Sequence, residues 1–125
     1  MSGDDVTNRG TAVGDQLIGE ELSGQAAAAL EPAWAGRARG LVDLLDAEAA
    51  HAEELRQLTP AVLDAAARSG LFRMVVPERW GGEGRGLSEL IDTTRILATG
   101  CPASAWTLSF LVMHNWLITR FPEQL

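Results

Sequence analysis

Between Pro102 and Phe121 the chain carries apolar residues almost all the way round a helix. Trp106, Phe110, Leu111, Leu117, Ile118 and Phe121 recur at helical spacing, and Pro102 suits a first helical turn. A helix on the surface of a globular protein keeps a polar face, whereas one that is apolar on every side belongs at the centre of something larger. This segment therefore requires the remainder of the chain to pack around it. One residue in the stripe breaks the pattern: His114 stands where the period calls for another apolar side chain. Eight residues are two turns and about 80° of rotation, so Trp106 and His114 can line one cavity at different depths with Phe110 between them. The tryptophan offers a flat surface for a conjugated ring, and the imidazole can exchange a hydrogen bond with a phenolic hydroxyl. Pattern alone equally accommodates a core histidine bonded to a backbone carbonyl.

The partners required by that helix are legible upstream. From about Ala35, Leu41, Leu44, Leu45, Ala49, Ala52 and Leu55 fall on one side of a helix, with Asp43, Asp46, Glu53 and Glu54 on the other. In "LTPAVLDAAARSGLF", Thr59 is a cap, Pro60 a first-turn residue and Gly70 a left-handed stop; Val62, Leu63, Ala66 and Ala67 form the apolar face. A further helix is expected from Ser88 as N-cap to Ala98, with Leu90, Ile91, Thr94, Ile96 and Leu97 apolar or neutral and Gly100 as its stop. Between these lies "LFRMVVPERWGGEGRG", where Pro77 holds Val76 extended and four glycines fall within six residues. The expected fold class is all-α.

Charge is uneven. Residues 1–33 hold six acids against Arg9 and show no apolar period, with at most a helical turn near Gln25–Leu30, so they read as a disordered acidic tail. Residues 34–125 read as one helical domain carrying eleven acids and nine arginines. That near-neutral balance has no basic patch and excludes nucleic-acid binding, and the arginines show no clustering suited to phosphate contacts. All ten basic residues are arginine, so neither a phosphate-loop lysine nor Schiff-base chemistry is available. The glycine run lacks the preceding strand and following helix of a dinucleotide fingerprint. His51 lies one turn from Glu48 and Glu54, but Cys101 and His114 are distant in sequence, so no metal-ligand spacing is formed and no metal is expected. Cys101 is the single cysteine, in keeping with a reducing cytoplasm. The run Ala105–Ile118 is interrupted by Thr107, Ser109, His114 and Asn115 and is too short for a membrane span.

"GLFRMVVPERWGGEGRGLSEL" followed by "ATGCPASAWTLSFLVMHNWLI" resembles the N-terminal helical domain of the acyl-CoA dehydrogenase superfamily, from about Ala35 onward. The Pro77–Gly82 segment is similar to the superfamily's Pro-Glu-aromatic-Gly-Gly loop. Ser104-Ala105-Trp106 with a histidine eight residues on resembles the branch of two-component flavin-dependent monooxygenases, the aromatic hydroxylases. The resemblance implies a substrate pocket formed by His114, Trp106 and Phe110, and contact of Trp106 and Ser104 with a reduced flavin, FADH2 or FMNH2. It implies a small-molecule substrate, a separate flavin reductase, and a homo-oligomer (a tetramer in the family) or a partner chain. Family members are about three times longer, with a β-barrel domain and a C-terminal helical bundle after this segment. No catalytic residue is therefore assigned within this chain. Two other readings are an acyl-CoA dehydrogenase, disfavoured by a polar imidazole in the wall facing a fatty acyl chain, and a non-catalytic binding or assembly domain derived from such an enzyme. Exposed apolar surface and self-association are expected of the chain alone.

Overall fold

The computed structural model describes residues 30–124; the acidic tail through residue 29, with most of the Gln25–Leu30 turn, lies outside the described residues. Four helices follow in order among them: α1 (Ala33–Leu55), α2 (Pro60–Ser69), α3 (Leu87–Ala98) and α4 (Pro102–Ile118). Short 3-10 turns at Leu71–Arg73 and Glu78–Trp80 punctuate the α2–α3 connection, and no strand occurs among the described residues. None of the described helices is long and apolar enough to cross a membrane.

The punctuation around α2 follows the sequence. Thr59 Oγ1 accepts from the Val62 N–H at 3.3 Å, Pro60 occupies the first turn, and Gly70 at φ 82° closes the helix by donating to the carbonyls of Ala66 and Ala67. The start of α3 differs from expectation. Gly86, not Ser88, is the N-cap; its N–H donates to Glu89 Oε2 at 3.1 Å, and Ser88 Oγ donates to the same oxygen at 2.9 Å. The serine hydroxyl is thus committed to a carboxylate already seated on the helix N-terminus. α3 ends at Ala98 with Thr99 as its cap in right-handed geometry, just before Gly100, which is small because a Cβ there would collide with the Val42 carbonyl of α1.

The core gathers Ala38, Leu41 and Leu45 of α1, Val62 and Ala66 of α2, Leu90 and Leu97 of α3, and Ala105, Leu108 and Val112 of α4, with Leu71, Met74 and Val75 from the connection. α3 is the hub, packed against both α1 and α4. The inward stripe of α1 occupies its first half; Leu55, expected inside, is exposed, as are Leu63 of α2 and Ile91 of α3. Residues 73–86 fold back on themselves: the N–H groups of Glu83, Gly84 and Arg85 donate to the carbonyls of Arg73, Val76 and Met74 at 3.0, 2.8 and 2.9 Å. Arg37 of α1 clasps this loop through a two-pronged pair with Glu83, one prong at 2.7 Å, and donates to the Ser69 carbonyl at 3.3 Å. Asn115 Nδ2 of α4 donates to the Phe72 carbonyl at 2.9 Å and fixes that helix to the first 3-10 turn.

Candidate functional site

The buried face of α4 is a single narrow stripe. Ser104, Ala105, Leu108 and Val112 point into the core, and the large side chains expected there point away from it. Trp106 is 70% exposed, Ile118 64% and Phe110 47%, with Leu111, Met113, Leu117 and Phe121 also exposed. The premise that His114 sits on a face buried within this chain is therefore corrected: the histidine is half-buried on the outward side. The reason is packing. α3 packs along one side of α4, which takes up Ser104, Ala105, Leu108 and Val112 and leaves the ridge carrying His114 on the other side.

What faces outward is organised. Trp106, Phe110 and His114 stand at i, i+4 and i+8 and form one ridge along α4. Trp106, Phe110 and Met113 meet Leu87, Leu90 and Ile91 of α3 across a groove of about 400 Å³. Its wall is almost wholly apolar, with Ser109 and Thr94 as its hydroxyl-bearing members and Arg95, held toward Asp92 at 3.6 Å, at its margin. The Ser109 hydroxyl is spent on the Trp106 carbonyl at 2.8 Å, and that of Thr94 on the Leu90 carbonyl at 2.8 Å.

His114 is oriented by its own helix. Nδ1 lies 2.7 Å from the Phe110 carbonyl, and a carbonyl only accepts, so Nδ1 carries the proton. In the neutral ring Nε2 is then an acceptor. The imidazole also rests on the Phe110 ring, with centroids 4.2 Å apart and planes inclined by 56°. Two contacts thus set the tautomer and the ring orientation, and Nε2 is left able to accept a proton or a hydrogen bond from a hydroxyl.

Ser104 is not brought to this ridge. It is buried beside Cys101, on a separate pocket lined also by Glu53, Arg56 and Thr107. Residues two apart on a helix face nearly opposite ways, and the structure separates Ser104 from Trp106 accordingly. Burial pushes the Cys101 thiol up, but the Ser104 hydroxyl and the N–H groups of Ser104 and Ala103 at the start of α4 outweigh it and hold the thiol below its ordinary range. Leu87, Ile91 and Met113 complete the groove and were not singled out as site residues from sequence; their spacing on two different helices becomes meaningful only once α3 and α4 are paired.

A family model described as "Acyl-CoA dehydrogenase, N-terminal domain" matches residues 37–124. Among curated proteins, the chain is 33% identical over 89 residues to the FADH(2)-dependent resorcinol hydroxylase, oxygenase component, of Rhizobium sp. (strain MTP-10005), covering 71% of this chain and 22% of the relative. It is 30% identical over 88 residues to the flavin-dependent monooxygenase, oxygenase subunit HsaA, of Rhodococcus jostii (strain RHA1), covering 70% of this chain and 23% of the relative. The chain thus spans less than a quarter of the length of these relatives. No solved structure matches the chain significantly.

Proposed function

Because the chain belongs to the acyl-CoA dehydrogenase N-terminal domain family, we propose that it forms the substrate-pocket wall of a flavin-dependent monooxygenase that hydroxylates an aromatic or related small molecule. The observation that carries this reading is the ridge Trp106–Phe110–His114, with an oriented imidazole beside an apolar groove. The named relatives, both oxygenase components, favour hydroxylation over dehydrogenation of an acyl chain.

The groove suits a flat conjugated ring: an indole most of whose surface is exposed, flanked by Leu87, Ile91 and Met113 and with few free polar groups. A reduced flavin, FADH2 or FMNH2, bound against this wall supplies the activation of O2, and a separate flavin reductase supplies the reduced cofactor. The chain's own residues do the rest. Trp106 covers the ring and excludes water, Phe110 and Met113 hold an aromatic substrate edge, and His114 Nε2 accepts the substrate's hydroxyl proton in a hydrogen bond. Withdrawing the proton in this way leaves the hydroxyl oxygen richer in electrons, and its donation into the ring activates the positions beside it for oxygen transfer. A cytoplasmic location and a homo-oligomeric assembly accompany this reading.

The test is His114→Ala in the active assembly. A lost hydrogen bond to a neutral hydroxyl is worth about 1 kcal/mol, and one to a phenolate about 2–3 kcal/mol. Substrate affinity is expected to fall between about five-fold and a hundred-fold, with a smaller ratio of hydroxylated product to released hydrogen peroxide. Stability should hardly change, because His114 is half-buried and its side chain bonds to the carbonyl of a helix already hydrogen-bonded along its length. Normal affinity and coupling with a clear fall in Tm would assign the histidine to packing instead.

A further inference from the structure

Three arginines, two from the loop of residues 73–86 and one from beyond α4, converge on one cleft that the groove does not include. Arg79 comes from the second 3-10 turn, Arg85 from the glycine-rich loop and Arg120 from just beyond α4; they line a cleft of about 520 Å³ together with Trp116 and a single carboxylate, Glu78. The expectation that the arginines are scattered is thereby corrected: the fold-back of residues 73–86 against the end of α4 brings them together. Three guanidinium groups against one carboxylate is a local positive excess in a chain whose formal net charge is −7.

Two of the three are held in a way that keeps their donors free. The Arg79 guanidinium lies 4.5 Å over the Trp80 ring and that of Arg120 lies 4.8 Å over the Trp116 ring. Stacking uses the flat face of the group, whereas its N–H bonds all lie in the plane and point outward from the edge. Neither forms an ion pair among the described residues. Arg85 reaches Glu83 only at 3.7 Å, and that carboxylate is already clasped by Arg37. The cleft therefore presents planar, forked donors that outnumber the carboxylates near them, Glu78 in the lining and Glu83 beside Arg85.

We propose that this cleft binds a phosphoryl anion, either a free phosphate or pyrophosphate or the phosphate end of a nucleotide. Several oxygens and more than one negative charge on a compact tetrahedral group match several forked donors set around a cleft better than one planar carboxylate does. The proposal does not rest on the monooxygenase reading, and its test involves neither flavin nor turnover.

The test is a calorimetric titration of the 125-residue chain with inorganic pyrophosphate at fixed ionic strength, with sodium chloride as the reference. Saturable one-site binding is expected, absent with chloride. The double variant Arg79→Gln/Arg120→Gln should weaken it about ten-fold or more. Glu78→Gln should tighten it several-fold by removing the like charge from the cleft, a gain that partial unfolding cannot mimic; circular dichroism checks that both variants keep their helices. Adenosine diphosphate binding as tightly as pyrophosphate would identify a nucleotide as the source of the anion, and weaker binding of the nucleotide would identify the free anion. Absence of saturable binding, or affinities unchanged in both variants, would overturn the proposal.

Discussion

At the scale of single residues, the Pro77–Gly82 motif is set by backbone geometry more than by chemistry. Gly82 is the tight point: a Cβ built there would run into the carbonyl and side chain of Val76, and its neighbour Gly81 takes φ 82° to end the 3-10 turn. Gly82→Ala must push the loop off residues 73–76, breaking the hydrogen bonds that Glu83 and Gly84 make to Arg73 and Val76. A cost of about 1–3 kcal/mol is expected, the range for forcing atoms into a well-packed site, whereas Gly36→Ala, at an exposed helical position with nothing near its Cβ, should be neutral or stabilising. Thermal unfolding of both variants checks this, and equal effects would show that the loop does not depend on the close approach. His114 offers a second residue-scale lesson. Its spacing from Trp106 was legible in the sequence, because i, i+4 and i+8 must form a ridge. Its exposure was not, because that depends on which side of α4 the other helices choose.

At the scale of elements, the loop and the helices are joined by charge, and this gives the fold an acid-sensitive clasp. Glu83 is held below the ordinary carboxylate range, first by its hydrogen bond from Arg37, against an opposing effect of burial, with the Arg37 and Arg85 charges adding to it. Glu89 is also held low, by its own N–H and the Ser88 hydroxyl. A carboxylate whose folded-state pKa lies below its unfolded value adds stability that is fully present above about pH 4.3–4.5 and is lost as pH falls through the folded value. Tm is thus expected to be flat near neutrality and to drop in acid, and Glu83→Gln should lower the neutral plateau and flatten the acid limb. Arg37 and Glu83 are each about a third exposed, so solvent limits the size of the effect; an acid limb identical in the variant would remove the clasp from the account. The pairing itself joins residues 46 positions apart, which no local pattern announces. Local punctuation fared better: Thr59, Pro60 and Gly70 act as read, since a cap involves only its own helix, whereas Ser88 was displaced by the competing carboxylate of Glu89.

At the scale of the whole molecule, the outward face of α4 decides how the chain behaves. Periodicity could not reveal that face, because a helix apolar on all sides carries no directional signal, and residue size gave none either: Leu108 and Val112 turn inward with Ser104 and Ala105, while Ala103 and Thr107 face out. The consequence is that Trp106, Phe110, Leu111, Met113, Leu117, Ile118 and Phe121 of the last helix and its end, with Leu87 and Ile91 of α3, are all exposed together. Monomeric soluble proteins rarely leave contiguous apolar surface beyond a few hundred Å² uncovered, and a ring-shaped ligand in an open groove gains little of the 70–90% enclosure that tight sites provide. The chain by itself is therefore expected to self-associate, to bind a hydrophobic dye, and to hold free flavin weakly at best. Sedimentation velocity across a concentration series checks the first of these. The paired change Leu117→Gln and Ile118→Gln removes two exposed apolar side chains, 45% and 64% open, without touching the core or the Trp106 groove, so it should shift the distribution toward monomer while leaving helix content unchanged. A native chain that stays monomeric and dye-negative at high concentration would mean that this face is covered in solution, and would redirect attention to what covers it.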